Sequence, residues 1–360
     1  MRLKYSLCRI LIIPILLICT LAVLHYDSSS MLWFERIEAG EHLAHQSSLR
    51  LAACTVVKDD VPYLIEWIEY YRLQGFSKFW IFDDRSSDKP MLVSQLFAQK
   101  YVGKNLVEVH QHTTPGSQPS AYAKCHEWSK SQGFDWVGVM DTDEFWFSPI
   151  YDSVAQFLER EVSDPSIGVI SVSQFRFGTN GQRDRYEYRV VESPEGGSVR
   201  LENPKGVQLI TRQHTMRGPY KVFGEPAELI DHSYPNCSIP AKDGWHMCHT
   251  DTRDSKSLWR PEAVSDINVH FPNKILTGYT SLRPDPSVFR GNHYYYRSIA
   301  DAEKKSRDWK KPDPLQGVLS VDSYWNSVQD VAIQRFTYRL EASIKNLMIQ
   351  NNNAKATADP

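Results

Sequence analysis

Short apolar runs alternate with amphipathic stretches in the part of the chain that follows residue 50. The runs are rich in β-branched and aromatic side chains, as in strands that are buried on both faces. The predicted strands are residues 51–57, 79–82, 105–110 and 136–140. The first predicted helix between them is capped by Asp60 and stops at Gly75, and the next two run from Met91 to Tyr101 and from Ser120 to Gln132. This alternation predicts an α/β fold with a mostly parallel sheet and helices on both of its faces.

After residue 150 the pattern changes to short β-rich segments separated by glycine and proline turns. A helix capped by Asp152 and ending near Val162 is predicted first, and a last helix over residues 331–348. The strands predicted between them are residues 168–177, 186–191 and 207–211. This half is therefore expected to be mixed or antiparallel. We predict one folded domain over residues 49–310, followed by a helical extension and tail at 311–360.

The N-terminus carries an uncharged apolar stretch behind basic residues. Residues 10–24 hold no charged side chain, and Arg2, Lys4 and Arg9 precede them. This pattern predicts a cytosolic tail (1–9), an uncleaved signal anchor (10–26) of a single-pass type II membrane protein and a polar stem (27–48), with the rest in a lumen. A cleaved signal peptide is the alternative, although no clear small-x-small cleavage site follows.

Composition and cysteine usage narrow the class of protein. A net charge of -2 with 41% hydrophobic residues favours small-molecule chemistry and argues against a nucleic acid as partner. Four cysteines lie beyond the anchor; two disulfides, with Cys237 and Cys248 as the first expected pair, are one interpretation. Buried thiols are the other, because Cys54 and Cys125 lie in apolar segments. Asn236-Cys237-Ser238 is a glycosylation sequon, as expected of a lumenal glycoprotein.

Carboxylates follow three of the predicted strands: Asp59-Asp60, Asp83-Asp84 and Asp141-Thr142-Asp143. Because the carboxyl ends of parallel strands meet at one sheet edge, where ligands bind, these groups are expected to lie together. Alternation along an extended chain would place Asp141 and Asp143 on one face. Two carboxylates so placed suit Mg²⁺ or Mn²⁺, which complete their shells with water and substrate phosphate oxygens. A capped, solvated strand end is the alternative interpretation.

Glycine-rich phosphate loops are missing from the sequence, which contains neither GxGxxG nor GxxxxGK[ST]. A bound diphosphate would then need side-chain or metal charges to neutralise it. Lys58 and Arg85, which flank two of the acidic strand ends, are the candidates. The sequence therefore predicts a diphosphate held by metal and not by backbone amides.

The order of several motifs resembles glycosyltransferase family 92, which has a GT-A fold. The matching motifs span roughly residues 50–310. They are Cys54–Asp60, Ile81–Asp84, Trp136–Phe145, Phe175–Gly181, Lys256–Pro261 and His293-Tyr294 with Ser298, Glu303 and Lys305. The resemblance implies a nucleotide-sugar half (49–150) and an acceptor half (151–310). It also implies inverting transfer of a sugar, often galactose, from a UDP-sugar to a glycan acceptor with Mn²⁺ bound. The predicted anchor would place this enzyme in the Golgi or another secretory membrane.

The resemblance gives the acidic residues expected roles. Asp143 would be the main metal ligand, Asp141 would contact the ribose or reach the metal through water, and Asp83 would hold the uridine. Lys58, Asp60 and Arg85 complete the predicted donor-binding set. A third metal ligand is expected at His293 or His270, since imidazole suits Mn²⁺; structural histidines are the alternative.

Inversion needs a general base within reach of the acceptor hydroxyl. The candidates are Glu144, Glu225, Asp231 and Asp251, of which Asp251 in the His-rich segment is preferred. Glu144 would alternate to the other strand face and be a buried structural acid instead. Aromatic residues such as Trp259 and the run His293–Tyr296 could line a sugar cleft or belong to the core.

Two other functions are compatible with the same residues. A metal-dependent hydrolase or nucleotidyl transferase could use this sheet edge. A catalytically silent, glycan-binding lumenal protein would keep the fold without the chemistry.

Overall fold

The computed structural model describes residues 47–112, 117–194, 196–218, 255–308 and 325–356. The predicted anchor, nearly all of the stem, the sequon, Cys237, Cys248 and Asp251 lie outside the described residues. Across the described ranges, no helix combines the length and apolarity needed to cross a membrane. From Leu49 onward the described residues belong to one compact unit.

The element order follows the predicted alternation through the first half. The strands are β1 (Leu51–Val57), β2 (Phe76–Asp83), β3 (Val107–Gln111), β4 (Trp136–Val139), β5 (Glu144–Phe147), β6 (Ile167–Arg176), β7 (Arg189–Glu192), β8 (Val199–Glu202), β9 (Met216–Arg217), β10 (Ser255–Trp259), β11 (Val264–Ser265), β12 (Lys274–Ile275), β13 (Thr280–Leu282), β14 (Arg290–His293) and β15 (Val328–Gln329). The helices are α1 (Val61–Leu73), α2 (Met91–Lys100), α3 (Gln118–Ser131), α4 (Val154–Glu161), α5 (Ile210–Gln213), α6 (Ile299–Asp308) and α7 (Thr337–Ala356), with a 3₁₀ helix at Ala332–Phe336.

One large sheet runs through both predicted halves, in the order β3-β2-β1-β4-β10-β6-β14-β5, with β13 beside β6. The first four of these strands are parallel to one another. Strand β10 is antiparallel to both β4 and β6, and β14 is antiparallel to β5 but parallel to β6. The predicted parallel α/β half and mixed second half are both present.

Alternate residues of β1 enter two separate cores, as the twofold period of a strand requires. Leu51 and Ala53 belong to the larger core, while Ala52 and Cys54 belong to the smaller one. Residues of α1, α2 and α7 pack in the larger core, and residues of α3 pack in the smaller. The sheet is therefore covered by helices on both faces.

Helix α1 begins with a cap different from the predicted one. Asp60 stands at the N-cap position, but its carboxylate makes no capping hydrogen bond. Asp88, from the loop after β2, accepts the Val61 N–H at 2.9 Å instead.

At the other end of α1, Gly75 has a φ of +98°, and an added Cβ would lie 2.5 Å from the Ala155 Cβ. Only glycine fits this stop.

The predicted strand over residues 207–211 is wrong. Ile210 and Thr211 begin helix α5, and their N–H groups donate to the Glu66 carboxylate at 2.7 and 3.0 Å. Glu66 belongs to α1, so the cap comes from a distant part of the chain. Burial raises the pKa of Glu66 to about 7, although these hydrogen bonds oppose the rise.

The predicted cap of α4 needs correction. Ser153, not Asp152, caps this helix, and its hydroxyl accepts the Gln156 N–H at 3.0 Å. The C-terminal helix α7, which lies in the predicted helical extension, packs on the domain, since Leu340 and Ile344 lie in the larger core. Its Ser343 hydroxyl also donates to Glu69 of α1 at 2.6 Å.

A disulfide joins Cys54 of β1 to Cys125 of α3, with 6.5 Å between the two Cα atoms. The interpretation of these two cysteines as free buried thiols is therefore wrong. Both lie in the smaller core. The bond ties the central strand to the helix on that face and closes a loop of 71 residues.

We predict that the Cys54→Ala, Cys125→Ala double variant is less stable than the wild type by about 2–4 kcal/mol, because the unfolded chain loses its cross-link. Urea unfolding measures the difference. Peptide mapping without reductant should show the two cysteines in one linked peptide. Recovery of both as free thiols from the oxidised protein would contradict the assignment.

Candidate functional site

The loops after β1, β2 and β4 meet at one edge of the sheet. The Thr142 hydroxyl, after β4, donates to Asp60, after β1, at 2.6 Å. The Ser87 N–H, after β2, donates to Asp59 at 2.7 Å. The acidic strand ends that are far apart in sequence are thus joined directly, because parallel strands end at the same edge.

Asp83 has a structural role at this edge of the sheet. It ends β2 opposite Val57 of β1. Its two carboxylate oxygens accept the Ser86 N–H and the Gln111 side-chain amide, each at 2.8 Å. The residue holds the loop after β2 against β3, so both oxygens already have protein donors.

Asp141-Thr142-Asp143 forms a turn between β4 and β5, not the extended segment that was predicted. The Glu144 N–H donates to the Asp141 carbonyl at 3.0 Å, which closes the turn. The Glu144 carboxylate in turn accepts the Asp141 N–H at 2.9 Å. The alternation argument therefore does not apply to Asp141 and Asp143, and the turn decides where their carboxylates lie.

The register of β14 on β5 brings His293 to this turn. His293 pairs with Glu144, and the Tyr294 N–H donates to the Asp143 carbonyl at 2.8 Å. His293 Nε2 then lies 3.5 Å from Asp143 Oδ1. Of the two predicted histidines, His293 is beside the acidic turn. His270 lies between β11 and β12, where its carbonyl accepts the Ser257 hydroxyl at 2.9 Å.

Two lysines neutralise the turn. Lys305 Nζ lies 2.8 Å from Asp143 Oδ2. Lys256 Nζ lies 3.2 Å from Asp141 Oδ2 and 3.8 Å from Glu144 Oε2. Their only signal in the sequence was their place among the motifs of the family resemblance.

The two cations expected from the sequence lie elsewhere. Lys58 is exposed, and Arg85 pairs with its neighbour Asp84 at 3.2 Å. Adjacency to an acidic strand end did not bring either side chain to the acidic turn.

The charged groups in and around the acidic turn shift one another's pKa values strongly. Burial alone would raise the pKa of Asp143, but Lys305 and His293 lower it well below its usual range. Burial raises the pKa of Glu144 to about 7, opposed by Lys256. Burial would lower the pKa of Lys256, yet Asp141 and Glu144 raise it above the usual value. The turn therefore carries an ionised Asp143 held by an ammonium group.

Arg297 ties the acidic loops together. Its guanidinium donates to Asp60 at 2.9 Å and to the Thr142 hydroxyl at 3.1 Å. It also lies 3.6 Å from the centre of the Tyr63 ring, and that hydroxyl bonds to Asp301. Nothing in the local sequence distinguishes this arginine, because its partners come from two other segments of the chain, at residues 60–63 and at Thr142.

A divalent cation fits Asp143 and His293. Asp143 Oδ1 is buried without a hydrogen-bond donor, and His293 Nε2 lies 3.5 Å from it. A carboxylate oxygen with an imidazole nitrogen suits Mn²⁺. In the described ranges no group of three or more His, Cys, Asp or Glu side chains is placed to hold a metal. The remaining ligands would be water and substrate oxygens, as Mg²⁺ and Mn²⁺ sites allow.

The other predicted site residues either are buried in the core or lie outside the described residues. Glu144 is buried and bonded to the turn, which is the place of a structural acid; its catalytic role stays a prediction that its burial does not favour. Asp251, Glu225 and Asp231 lie outside the described residues. Trp259 and Tyr294 are fully buried core residues, so neither lines an open sugar cleft.

The region that contains the acidic turn and the joined strand ends matches the model of a family of sugar-transferring enzymes. The matched family is glycosyltransferase family 92, over residues 51–204. This match confirms the resemblance predicted from the motifs.

Curated relatives agree with the family match. A glycosyltransferase family 92 protein of Ricinus communis is 29% identical over 262 residues, which is 71% of this chain and 37% of the relative. Another, of Arabidopsis thaliana, is 29% identical over 130 residues, or 36% of this chain and 20% of the relative. The chain thus matches well under two thirds of the length of these relatives.

Two solved structures have a distant likeness to this chain. S. aureus TarS aligns with a TM-score of 0.32 and 15% identity, over 64% of this chain and 52% of that one. Glucosyl-3-phosphoglycerate synthase from Mycobacterium tuberculosis aligns with a TM-score of 0.25 and 12% identity, over 38% of this chain and 47% of that one. At these TM-scores the likenesses carry no argument about this chain.

We predict that Arg297→Met destabilises the protein by about 3–5 kcal/mol, because it leaves the Asp60 carboxylate without its buried partner. The measurement is the free energy of unfolding in urea. Arg307→Met is the matched control: this arginine lies in α6, just after Arg297 in the chain, its side chain is 66% exposed, and it pairs with Glu303. The control should change stability by less than about 0.5 kcal/mol. Equal unfolding curves for the two variants would show that Arg297 does not hold the loops.

Proposed function

We propose that the protein is a metal-dependent, inverting glycosyltransferase that moves a sugar, galactose in keeping with the family resemblance, from a UDP-sugar to a glycan acceptor. The observation that carries this proposal is the Asp143–His293 pair at the edge where the loops after β1, β2 and β4 meet. The family match supports the transferase class. The metal, the donor and the stereochemistry are the proposed part.

Asp143 Oδ1 and His293 Nε2 would hold the cation, Mn²⁺ or Mg²⁺. Bound there, it would neutralise the charge that develops on the departing nucleotide diphosphate. Asp141, whose side chain is 34% exposed, is the member of the turn open to a ligand and would contact the ribose or a metal-bound water. Lys256 and Glu144 fix this turn from behind. The protein's contribution is thus a preorganised charge pattern aimed at the leaving group.

Asp83 and Asp60 have another role in this proposal. Their carboxylates are already bonded, Asp83 to Ser86 and Gln111, and Asp60 to Thr142 and Arg297. Both would therefore shape the donor pocket through the loops that they hold. Lys58 and Arg85, predicted as donor contacts, remain candidates only for the rim.

Inversion by single displacement requires a base on the acceptor side. Asp251 stays the proposed base. Glu144 is the weaker candidate, because its carboxylate is buried against the acidic turn. The proposed acceptor half is the mixed second half of the sheet.

We further propose that residues 10–26 anchor the protein in a secretory membrane, such as the Golgi, with the enzyme in the lumen. The Cys54–Cys125 disulfide supports an oxidising compartment.

We predict that Asp143→Asn lowers sugar transfer by about 100-fold or more, since one metal ligand is lost and several kcal/mol of leaving-group stabilisation with it. Excess EDTA should abolish wild-type transfer, and Mn²⁺ should restore it. Asp84→Asn is the matched control, because this carboxylate also follows a strand but pairs with Arg85. Urea unfolding verifies that both variants fold.

The products decide between the competing reactions. Chromatography of the reaction mixture should show a glycosylated acceptor that forms only when acceptor is present. Nucleotide-sugar breakdown that is indifferent to acceptor would establish a hydrolase instead. Full activity of Asp143→Asn, or of the wild type in EDTA, would refute the proposed metal role.

We predict that the chain expressed in a secretory cell resists alkaline extraction from membranes and is protected from external protease in sealed microsomes. An anchor followed by a lumenal domain requires both results. Release by alkaline carbonate would indicate a cleaved leader, and digestion in sealed vesicles would contradict a lumenal domain.

A further inference from the structure

Two lysines contact the acidic turn, but they differ in their access to a ligand. The Lys256 side chain is 1% exposed, and the strand that carries it, β10, lies inside the sheet. The Lys305 side chain is 28% exposed and extends from α6. Lys256 is thus an internal counterion, whereas Lys305 can be reached by a substrate.

Lys305 is fixed in place by three contacts. Its ammonium donates to Asp143 Oδ2 at 2.8 Å and to the Tyr295 carbonyl at 3.0 Å. It also lies 4.3 Å from the centre of the Tyr295 ring. An ammonium group has three N–H donors, and two of them are used by these acceptors. One donor is left for a further acceptor.

Asp143 has a different neighbour on each carboxylate oxygen. Oδ2 accepts from Lys305, while the buried Oδ1 has no donor and faces His293 Nε2. A cation bound at Oδ1 and the Lys305 ammonium would therefore flank one carboxylate. Both positive charges would lie at the sheet edge where the donor is proposed to bind, in a sequence that has no glycine-rich phosphate loop.

We propose that Lys305 binds the diphosphate of the nucleotide donor and stabilises it as the leaving group, an inference that rests on the function proposed above. The third N–H donates to a phosphate oxygen. Lys305 and the divalent cation share Asp143, and since they carry like charges each weakens the binding of the other to it. Removal of the ammonium then strengthens metal binding and weakens nucleotide binding. These two effects have opposite signs, which a purely structural lysine would not produce.

The test is Lys305→Gln in the full chain, with binding measured by calorimetry in the absence of turnover. UDP without metal should bind roughly 10- to 100-fold more weakly than to the wild type, the usual effect of losing a hydrogen bond from a charged donor. Mn²⁺ without nucleotide should bind more tightly. Sugar transfer should fall through kcat at saturating donor, because the leaving group loses its cation.

Two variants serve as controls. Lys304→Gln removes a charge at the adjacent position of α6 and should leave UDP and Mn²⁺ binding within about twofold of wild type. Lys305→Arg keeps the charge and should retain UDP binding within about tenfold, since Arg also binds phosphate. It also keeps the test open if Lys305→Gln does not fold.

The outcomes separate the two proposals. A wild type that binds UDP and Mn²⁺, with unchanged UDP binding in Lys305→Gln, would overturn the role of Lys305 and leave the proposed function intact. Loss of both affinities together with stability would show a structural lysine. A wild type that binds neither UDP nor Mn²⁺ would overturn the proposed function itself.

Discussion

Carboxylates gathered at one sheet edge must be neutralised, and the rest of the site follows from this constraint. Parallel strands end at the same edge, so the acidic loops after β1, β2 and β4 cannot avoid one another. Unpaired charges out of water would be too costly to bury. The carboxylates are neutralised by Arg297, Lys256 and Lys305, all of which come from the second half of the sequence. The two halves are thus joined by charge as well as by the shared sheet.

These cations have distinct tasks because their exposure differs. Arg297 is deeply buried, with a side chain that is 5% exposed, and it holds two loops in register. Lys256, which is buried, neutralises the carboxylates of Asp141 and Glu144. Of these three cations, only Lys305 combines a carboxylate contact with access from outside. A site that binds a charged substrate needs both buried and accessible cations. The buried cations hold the acidic loops in place, and the accessible cation contacts the ligand.

The sequence predicted the helix and strand alternation well because apolar periodicity depends mainly on local spacing. It failed where a distant group decides a local structure. Residues 207–211 form a helix start because Glu66 accepts its N–H groups. Asp88 replaces Asp60 as the cap of α1, and Cys54 pairs with Cys125 because β1 and α3 share a core. In each case the missing information was a partner more than 20 positions away.

The sequence by itself determined which strands end in carboxylates and that these ends share one edge, since both follow from apolar runs and the geometry of parallel strands. It also determined the family resemblance, which depends on motif order. Only the tertiary structure decided that His293 lies beside Asp143, because this contact depends on the register of β14 against β5. It alone decided that Lys305, and not Lys58 or Arg85, neutralises Asp143. Ion pairing depends on distance in space, and the spacing of residues along a chain does not fix that distance.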